Sequence, residues 1–134
     1  MSKNEWHKRR TVITHSYELN SYSKYFPNQE RIDFDIETRE RFDVRINSRG
    51  FRGRDFTDQK KPGVIRIVTL GASSTFGYFN RDEETYPVYL EQILNDRYSG
   101  ELHFEAINMG IPHLTAENIY ALFLAEGTQL NPDI

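Results

Sequence analysis

Cysteine is absent from this sequence of 134 residues. Its absence excludes disulfide bonds, zinc sites with thiolate ligands and a cysteine nucleophile. Long hydrophobic runs are also missing, because no apolar stretch approaches the roughly 20 residues that span a bilayer. Residues 1–10 lack the apolar segment of a signal peptide, and no lipidation motif is present. We therefore expect a soluble chain without a membrane segment.

Basic residues are scarce in the second half of the chain. Residues 1–66 carry 15 basic and 10 acidic side chains (15 − 10 = +5), whereas residues 67–134 carry 2 and 10 (2 − 10 = −8). In the first half the basic residues are interleaved with acidic ones, which argues against a nucleic-acid partner. The acidic second half disfavours polyanionic substrates at a site built there.

The first half reads as an extension, residues 1–61, in front of an α/β part, residues 62–134. Residues 1–30 show no clear period, and we expect their aromatic residues to dock on the rest of the fold. These aromatics include Tyr17, Tyr22, Tyr25 and Phe26. A connector with two glycines spans residues 47–53, and Phe51 is its expected anchor.

Residues 31–47 have the clearest alternating pattern in the extension. Apolar residues occupy alternate positions on both sides of a polar tip at residues 38–40, namely Ile32, Phe34, Ile36, Phe42, Val44 and Ile46. This pattern predicts an antiparallel hairpin with one buried face. A register that pairs Ile36 with Phe42 would create both favourable and unfavourable charge pairs, so the pattern leaves the register open.

From residue 62 onwards, strand and helix patterns alternate. A strand is predicted over 64–70, and a second strand over 102–108. The first helix is predicted to be capped by Thr85 and to run to about residue 98, with an apolar stripe of Tyr86, Tyr89, Leu90, Ile93 and Leu94. The second helix is predicted over 116–126, capped by Thr115, ended by Gly127 and packed through Ile119, Leu122 and Phe123. Residues 131–134 resemble the start of a third strand, and this alternation predicts a parallel sheet.

Small hydroxyl residues follow the first of these strands, in the segment Gly71-Ala72-Ser73-Ser74-Thr75-Phe76-Gly77. A serine at a strand end can expose its Oγ beside backbone N–H groups, as a serine nucleophile requires. The G-x-S-x-G elbow does not match, because Thr75 replaces its second glycine. A purely structural turn is one alternative. A second is a module that binds phosphate or FMN without catalytic activity. A third is an accessory surface that binds a glycan or a protein partner.

The segment 66–77 resembles the first block of the SGNH (GDSL-type) serine hydrolases. Thr85-Tyr86-Pro87 resembles the start of that family's first helix, and residues 108–115 resemble its second block, Asn-x-Gly-x-x-Gly-x-Thr. The connector 47–53 resembles the lead-in of members that have an N-terminal extension. These four motifs stand in the family's order and cover about residues 44–134.

The resemblance implies a flavodoxin-like three-layer α/β/α fold and hydrolysis of a small-molecule, glycan or lipid ester, without a cofactor or metal. It implies that Ser73 is the nucleophile and that its own N–H is one oxyanion donor. The second-block glycine that supplies another donor falls on His113, and Gly110 is the fallback. The remaining motif residues would shape the turn: Gly71, Ala72, Ser74, Thr75, Gly77 and Asn108.

The chain also departs from the family's pattern. Ala72 stands where the first block has an aspartate, which normally steadies the turn. The family's third-block asparagine and its Asp-x-x-His pair would come after residue 134. None of the chain's own histidines is expected to act as the base, namely His7, His15, His103 and His113. The resemblance therefore implies the N-terminal part of an esterase, inactive by itself.

Overall fold

The computed structural model describes residues 10–14, 21–100 and 102–134, which form a mixed α/β fold. The strands are β1 (Arg10–Thr14), β2 (Ser21–Tyr25), β3 (Gln29–Phe34), β4 (Arg41–Ile46), β5 (Val64–Thr69) and β6 (His103–Asn108). The α-helices are α1 (Ser73–Phe76), α2 (Tyr86–Arg97) and α3 (Ala116–Leu122). Within the described ranges, every helix is too short or too polar to pass through a bilayer.

The centre of the fold is the parallel pair of β5 and β6, as the alternation predicts. Val64 pairs with His103 at one end, and Thr69 pairs with Asn108 at the other. Residues 133–134 lie along the opposite edge of β5. There the Arg66 carbonyl accepts a hydrogen bond from the Asp133 amide (2.8 Å), and the Val68 amide donates to the Ile134 carbonyl (2.9 Å). The predicted entry to a third strand therefore pairs with β5, which becomes the middle strand.

The extension joins this sheet through the connector after β4. Arg52 makes an isolated antiparallel bridge to Ile46 on one side and another to Asn108 on the other. Phe51 is buried, as expected of an anchor. The central core contains residues from both halves of the chain, including Tyr25, Phe51, Phe76, Met109 and Leu122. The extension and the α/β part thus share one core.

The hairpin of β3 and β4 forms, but its two apolar sets lie on opposite faces. Ile32 pairs with Asp43, and Phe34 pairs with Arg41. The apolar residues of β4 are consequently buried, whereas Ile32 is 55% exposed. A register pairing Ile36 with Phe42 is therefore wrong, and the single buried face belongs to β4 alone.

The Asp35 side chain explains this register. One of its carboxylate oxygens accepts the amides of Glu37 (2.8 Å) and Thr38 (3.2 Å). The turn closes between the Asp35 amide and the Glu40 carbonyl (3.0 Å), with Arg39 in the left-handed region at φ 60°. This local hydrogen bonding starts the turn before the expected tip, and it thereby shifts β3 against β4.

The described part of residues 1–30 has more regular structure than its sequence indicates, because β1 and β2 pair in antiparallel fashion. Tyr22 and Tyr25 are buried as expected, whereas Phe26 is exposed; Tyr17 lies outside the described residues. The Tyr22 hydroxyl donates to Glu126 (2.8 Å), and Lys24 pairs with the same carboxylate (2.8 Å). Burial, followed by the hydrogen bond to Glu126, raises the pKa of Tyr22 above its ordinary value.

Helix α2 begins after Thr85 as predicted, but the Thr85 side chain does not cap it and donates instead to the Asp82 carbonyl (3.3 Å). The predicted apolar stripe is wrong in part, because Tyr86, Tyr89 and Ile93 are exposed, whereas Leu90 and Leu94 are half-buried. Polar residues of α2 face the sheet instead, because they satisfy backbone groups of β6. The Asn95 side-chain oxygen accepts the Phe104 amide (2.9 Å), and a Glu91 carboxylate oxygen accepts the Ala106 amide (2.7 Å). An open strand edge requires such partners, and this requirement fixes the rotation of the helix.

Helix α3 starts where the sequence predicts, with the Thr115 hydroxyl accepting the Asn118 amide (3.3 Å). The predicted end at Gly127 is wrong. Gly127 has a helical φ of −61°, and the chain continues through a wide turn (Phe123–Gly127) and a 3₁₀ turn (Thr128–Leu130). A Cβ at Gly127 would collide with the Phe123 ring, which explains the glycine. Asn131 ends the segment at φ 49°.

Two isoleucine-to-alanine variants test the hairpin register. We expect Ile46→Ala to lower the free energy of unfolding by about 2–5 kcal/mol, because this side chain is buried in the core. Ile32→Ala, the matched control on β3, should change it by no more than about 0.5 kcal/mol. Urea unfolding of both variants measures the difference. An equal loss in both would contradict the observed register.

Candidate active site

Ser73 lies directly beyond the carboxyl end of β5, as the first residue of α1. Its side chain is exposed, and its hydroxyl forms no hydrogen bond with any residue that the structure describes. Its backbone is fixed, because the Ser73 carbonyl accepts the amides of Gly77 (2.9 Å) and Tyr78 (3.4 Å). The site therefore holds a free hydroxyl on a constrained turn.

The interior of this turn is closely packed. Thr75 is buried, and its hydroxyl donates to the Leu70 carbonyl (3.4 Å) and accepts from the Tyr86 hydroxyl (3.3 Å). A Cβ at Gly71 would collide with Thr75, so only glycine fits there. Gly77 ends α1 at φ 85°, a conformation that favours glycine. The remaining two residues of the motif are simpler: Ala72 makes no side-chain cap, and Ser74 is exposed.

The loop after β6 packs against the same turn. Asn108 is buried, and its side-chain nitrogen donates to the Thr75 carbonyl (2.9 Å), while its oxygen accepts the Gly110 amide (2.9 Å). A Cβ at Gly110 would collide with the backbone of Thr75 and Phe76. The structure thus brings both sequence blocks together at the carboxyl edge of the parallel strands, where α/β proteins bind ligands.

The two predicted donors on this second loop differ in their backbone geometry. The Gly110 N–H already donates to Asn108. His113 is exposed and has φ 69°, which lies in the left-handed region that favours glycine. His113 therefore occupies a glycine-type backbone position without being glycine.

The two described histidines differ in their distance from the edge of the sheet that carries Ser73. His103 is the first residue of β6, so the length of a strand of six residues, roughly 20 Å, separates it from the edge that carries Ser73. His113 lies on the loop at the same edge as Ser73. His7 and His15 lie outside the described residues. Within the described ranges, no cluster of histidine and carboxylate side chains could hold a metal ion.

The sequence prediction missed Arg52, whose side chain is only 1% exposed. Its Nε donates to Asp82 (2.9 Å), and its Nη1 donates to the carbonyls of Phe76 (3.1 Å) and Gly77. Its Nη2 donates to the carbonyls of Asn80 (2.6 Å) and Asp43 (3.3 Å). In the sequence, the one local sign of this role for Arg52 is that a charged residue directly follows Phe51, the expected anchor of the connector.

A cavity lies beside the Arg52 side chain. The connector after β4, the start of α2 and the inner half of β6 enclose it, and Arg52, Asp82 and Asn108 are among its lining residues. Ser73 is not among the residues that line this cavity.

No protein-family model matches this chain, and no curated protein sequence is significantly similar to it.

Replacing Asn108 tests how the two loops are fastened. Asn108→Ala would leave the Thr75 carbonyl and the Gly110 amide without a partner, and each unsatisfied buried group costs about 1–3 kcal/mol. We expect the free energy of unfolding to fall by at least about 2 kcal/mol. Asn118→Ala is the control, because Asn118 also bonds to the backbone but at the exposed start of α3. A smaller loss for Asn108→Ala than for Asn118→Ala in urea unfolding would contradict the fastening role.

Proposed function

We propose that Ser73 is the nucleophile of an SGNH-type serine ester hydrolase. The observation that carries the proposal is the exposed hydroxyl of Ser73, which has no hydrogen-bond partner among the described residues, on a turn held by the loop after β6. A nucleophilic serine needs this combination of a free Oγ and a fixed backbone. The resemblance of both loops to family blocks adds to it.

Two further features support the family. His113 takes the position of the second-block glycine, and its φ of 69° is one that a glycine adopts easily. The order of β6, β5 and residues 133–134 puts the first strand of the α/β part in the middle. A flavodoxin-like three-layer fold would have this arrangement, and we propose that fold for the whole domain.

In the proposed reaction a general base takes the proton of Ser73 as its Oγ attacks the acyl carbon of an ester. The oxyanion that forms would accept hydrogen bonds from the Ser73 amide and from an amide of the second loop, each worth about 3 kcal/mol. The base then protonates the departing alcohol, and water releases the acyl group. We propose that a histidine beyond residue 134 is the base, in line with the family's Asp-x-x-His pair.

A phosphate or FMN module has less support. A phosphate cradle would use the hydroxyls of the turn and the start of a helix. The Thr75 hydroxyl, however, is engaged with Leu70 and Tyr86 inside the protein. Helix α1 is also a single turn that Gly77 ends.

The nucleophile is tested by hydrolysis of p-nitrophenyl acetate by the complete gene product. We expect Ser73→Ala to lower kcat by at least about 10³-fold, because the loss of a serine nucleophile removes most of the catalysis. Ser74→Ala is the matched control, since this neighbouring serine is also exposed, and it should retain activity. Equal activity of wild type and Ser73→Ala would refute the hydrolase.

The position of the base is tested by residues 1–134 expressed alone. We expect this chain to hydrolyse p-nitrophenyl acetate at about the rate of buffer, because a serine without its base loses most of its catalysis. A rate equal to that of the complete gene product would place the base within these residues and contradict this part of the proposal.

A further inference from the structure

The guanidinium group of Arg52 has all of its hydrogen-bonding capacity in use. Arginine carries five N–H donors, and each of them has one acceptor here. Four of the acceptors are backbone carbonyls and the fifth is a carboxylate, contributed by Asp43, Phe76, Gly77, Asn80 and Asp82. The group thereby joins β4, the end of α1 and the loop that follows it.

Arg52 is linked to Ser73 through one residue. Gly77 accepts a hydrogen bond from Arg52 through its carbonyl, and it donates its own amide to the Ser73 carbonyl (2.9 Å). The positive charge also lies at the carboxyl end of α1, where carbonyl dipoles favour a cation, and 5.0 Å from the centre of the Phe76 ring. The backbone of Arg52 meanwhile pairs with Asn108, which holds the second loop.

We propose that Arg52 is a positioning residue, which sets the Ser73 hydroxyl relative to the loop after β6. This inference rests on the proposed function, because it concerns the reactivity of Ser73. The Arg52 side chain holds the turn from its buried side, being only 1% exposed, and its backbone pairs with Asn108 at the base of the second loop. Its effect is therefore on the chemical step rather than on substrate affinity.

Lysine cannot replace Arg52 at this position. An ammonium group has three donors in place of five, so Arg52→Lys leaves at least two of the five acceptors without a partner. The charge remains, but three donors cannot hold β4, the end of α1 and the loop after it as five donors do. Displacement of a reacting group by about 1 Å can cost about 100-fold in rate.

Arg66 offers a matched control. Its side chain is also 1% exposed, and it donates four hydrogen bonds. Their acceptors are a Glu105 carboxylate oxygen and the carbonyls of Thr57, Asp58 and Leu130. None of these belongs to the turn at residues 71–77. Arg66→Lys therefore disturbs a comparable buried network without releasing Ser73.

The test compares Arg52→Lys and Arg66→Lys in the complete gene product, with p-nitrophenyl acetate as the substrate. We expect Arg52→Lys to lower kcat about 100-fold with KM changed by less than about twofold. Arg66→Lys should keep kcat, per folded molecule, within about threefold. An equal loss of kcat in both variants, or no loss in Arg52→Lys, overturns the positioning role.

A second measurement separates this inference from the proposed function. Amide hydrogen exchange should be faster at Gly77 and Tyr78 in Arg52→Lys than in Arg66→Lys, because both amides donate to the Ser73 carbonyl. Unchanged exchange overturns the positioning role whatever the activity. Faster exchange, combined with activity that survives Ser73→Ala, overturns the hydrolase and leaves the structural role of Arg52 standing.

Should Arg52→Lys fail to fold, Asp82→Ala provides the same test. It removes one of the five acceptors of Arg52 at a partly exposed position. We then expect kcat to fall about tenfold with an unchanged KM. An unchanged kcat in this variant overturns the proposal.

Discussion

The arrangement of this protein depends on one buried charge, the guanidinium group of Arg52. A buried cation is costly unless every donor finds a partner, and removing a partner leaves an uncompensated group behind. The partners of Arg52 lie on β4, on α1 and on the loop after α1, so their relative positions are coupled. The extension is therefore part of the support of Ser73 rather than an appendage.

Arg66 follows the same principle elsewhere in the fold. It joins β5 to β6, to Thr57 in the segment before β5 and to the end of the helical segment at Leu130. A chain with only 37% hydrophobic residues has a small apolar core, and these two networks lie around that core. Buried ionic networks contribute little net stability, but they specify which segments must meet. In this protein the segments that Arg52 brings together include the turn of the candidate site.

The sequence predicts those features that local patterns determine. The strands β5 and β6, the start of α2 and the Thr115 cap follow from apolar runs and capping residues. The register of the hairpin of β3 and β4, the rotation of α2 and the role of Gly127 do not, because side-chain contacts decide them. Asp35 accepts two amides of its own turn, and Glu91 and Asn95 accept amides of β6. A polar residue that bonds to the backbone and a polar residue that faces solvent look the same in a pattern of apolar and polar positions. Such a pattern therefore cannot predict these contacts.

The same distinction between local patterns and side-chain contacts applies to the candidate site. The position of Ser73 at the carboxyl edge of the sheet is predictable, because the glycine and serine directly follow an apolar strand pattern. Arg52 is not, because its acceptors are mostly carbonyls, which every residue possesses. Together they define a turn that is rigid on its protected side, through Arg52, Asn108 and Thr75, and open where the Ser73 Oγ emerges. In the proposed reaction, base and ester would both approach the Ser73 Oγ from that open side.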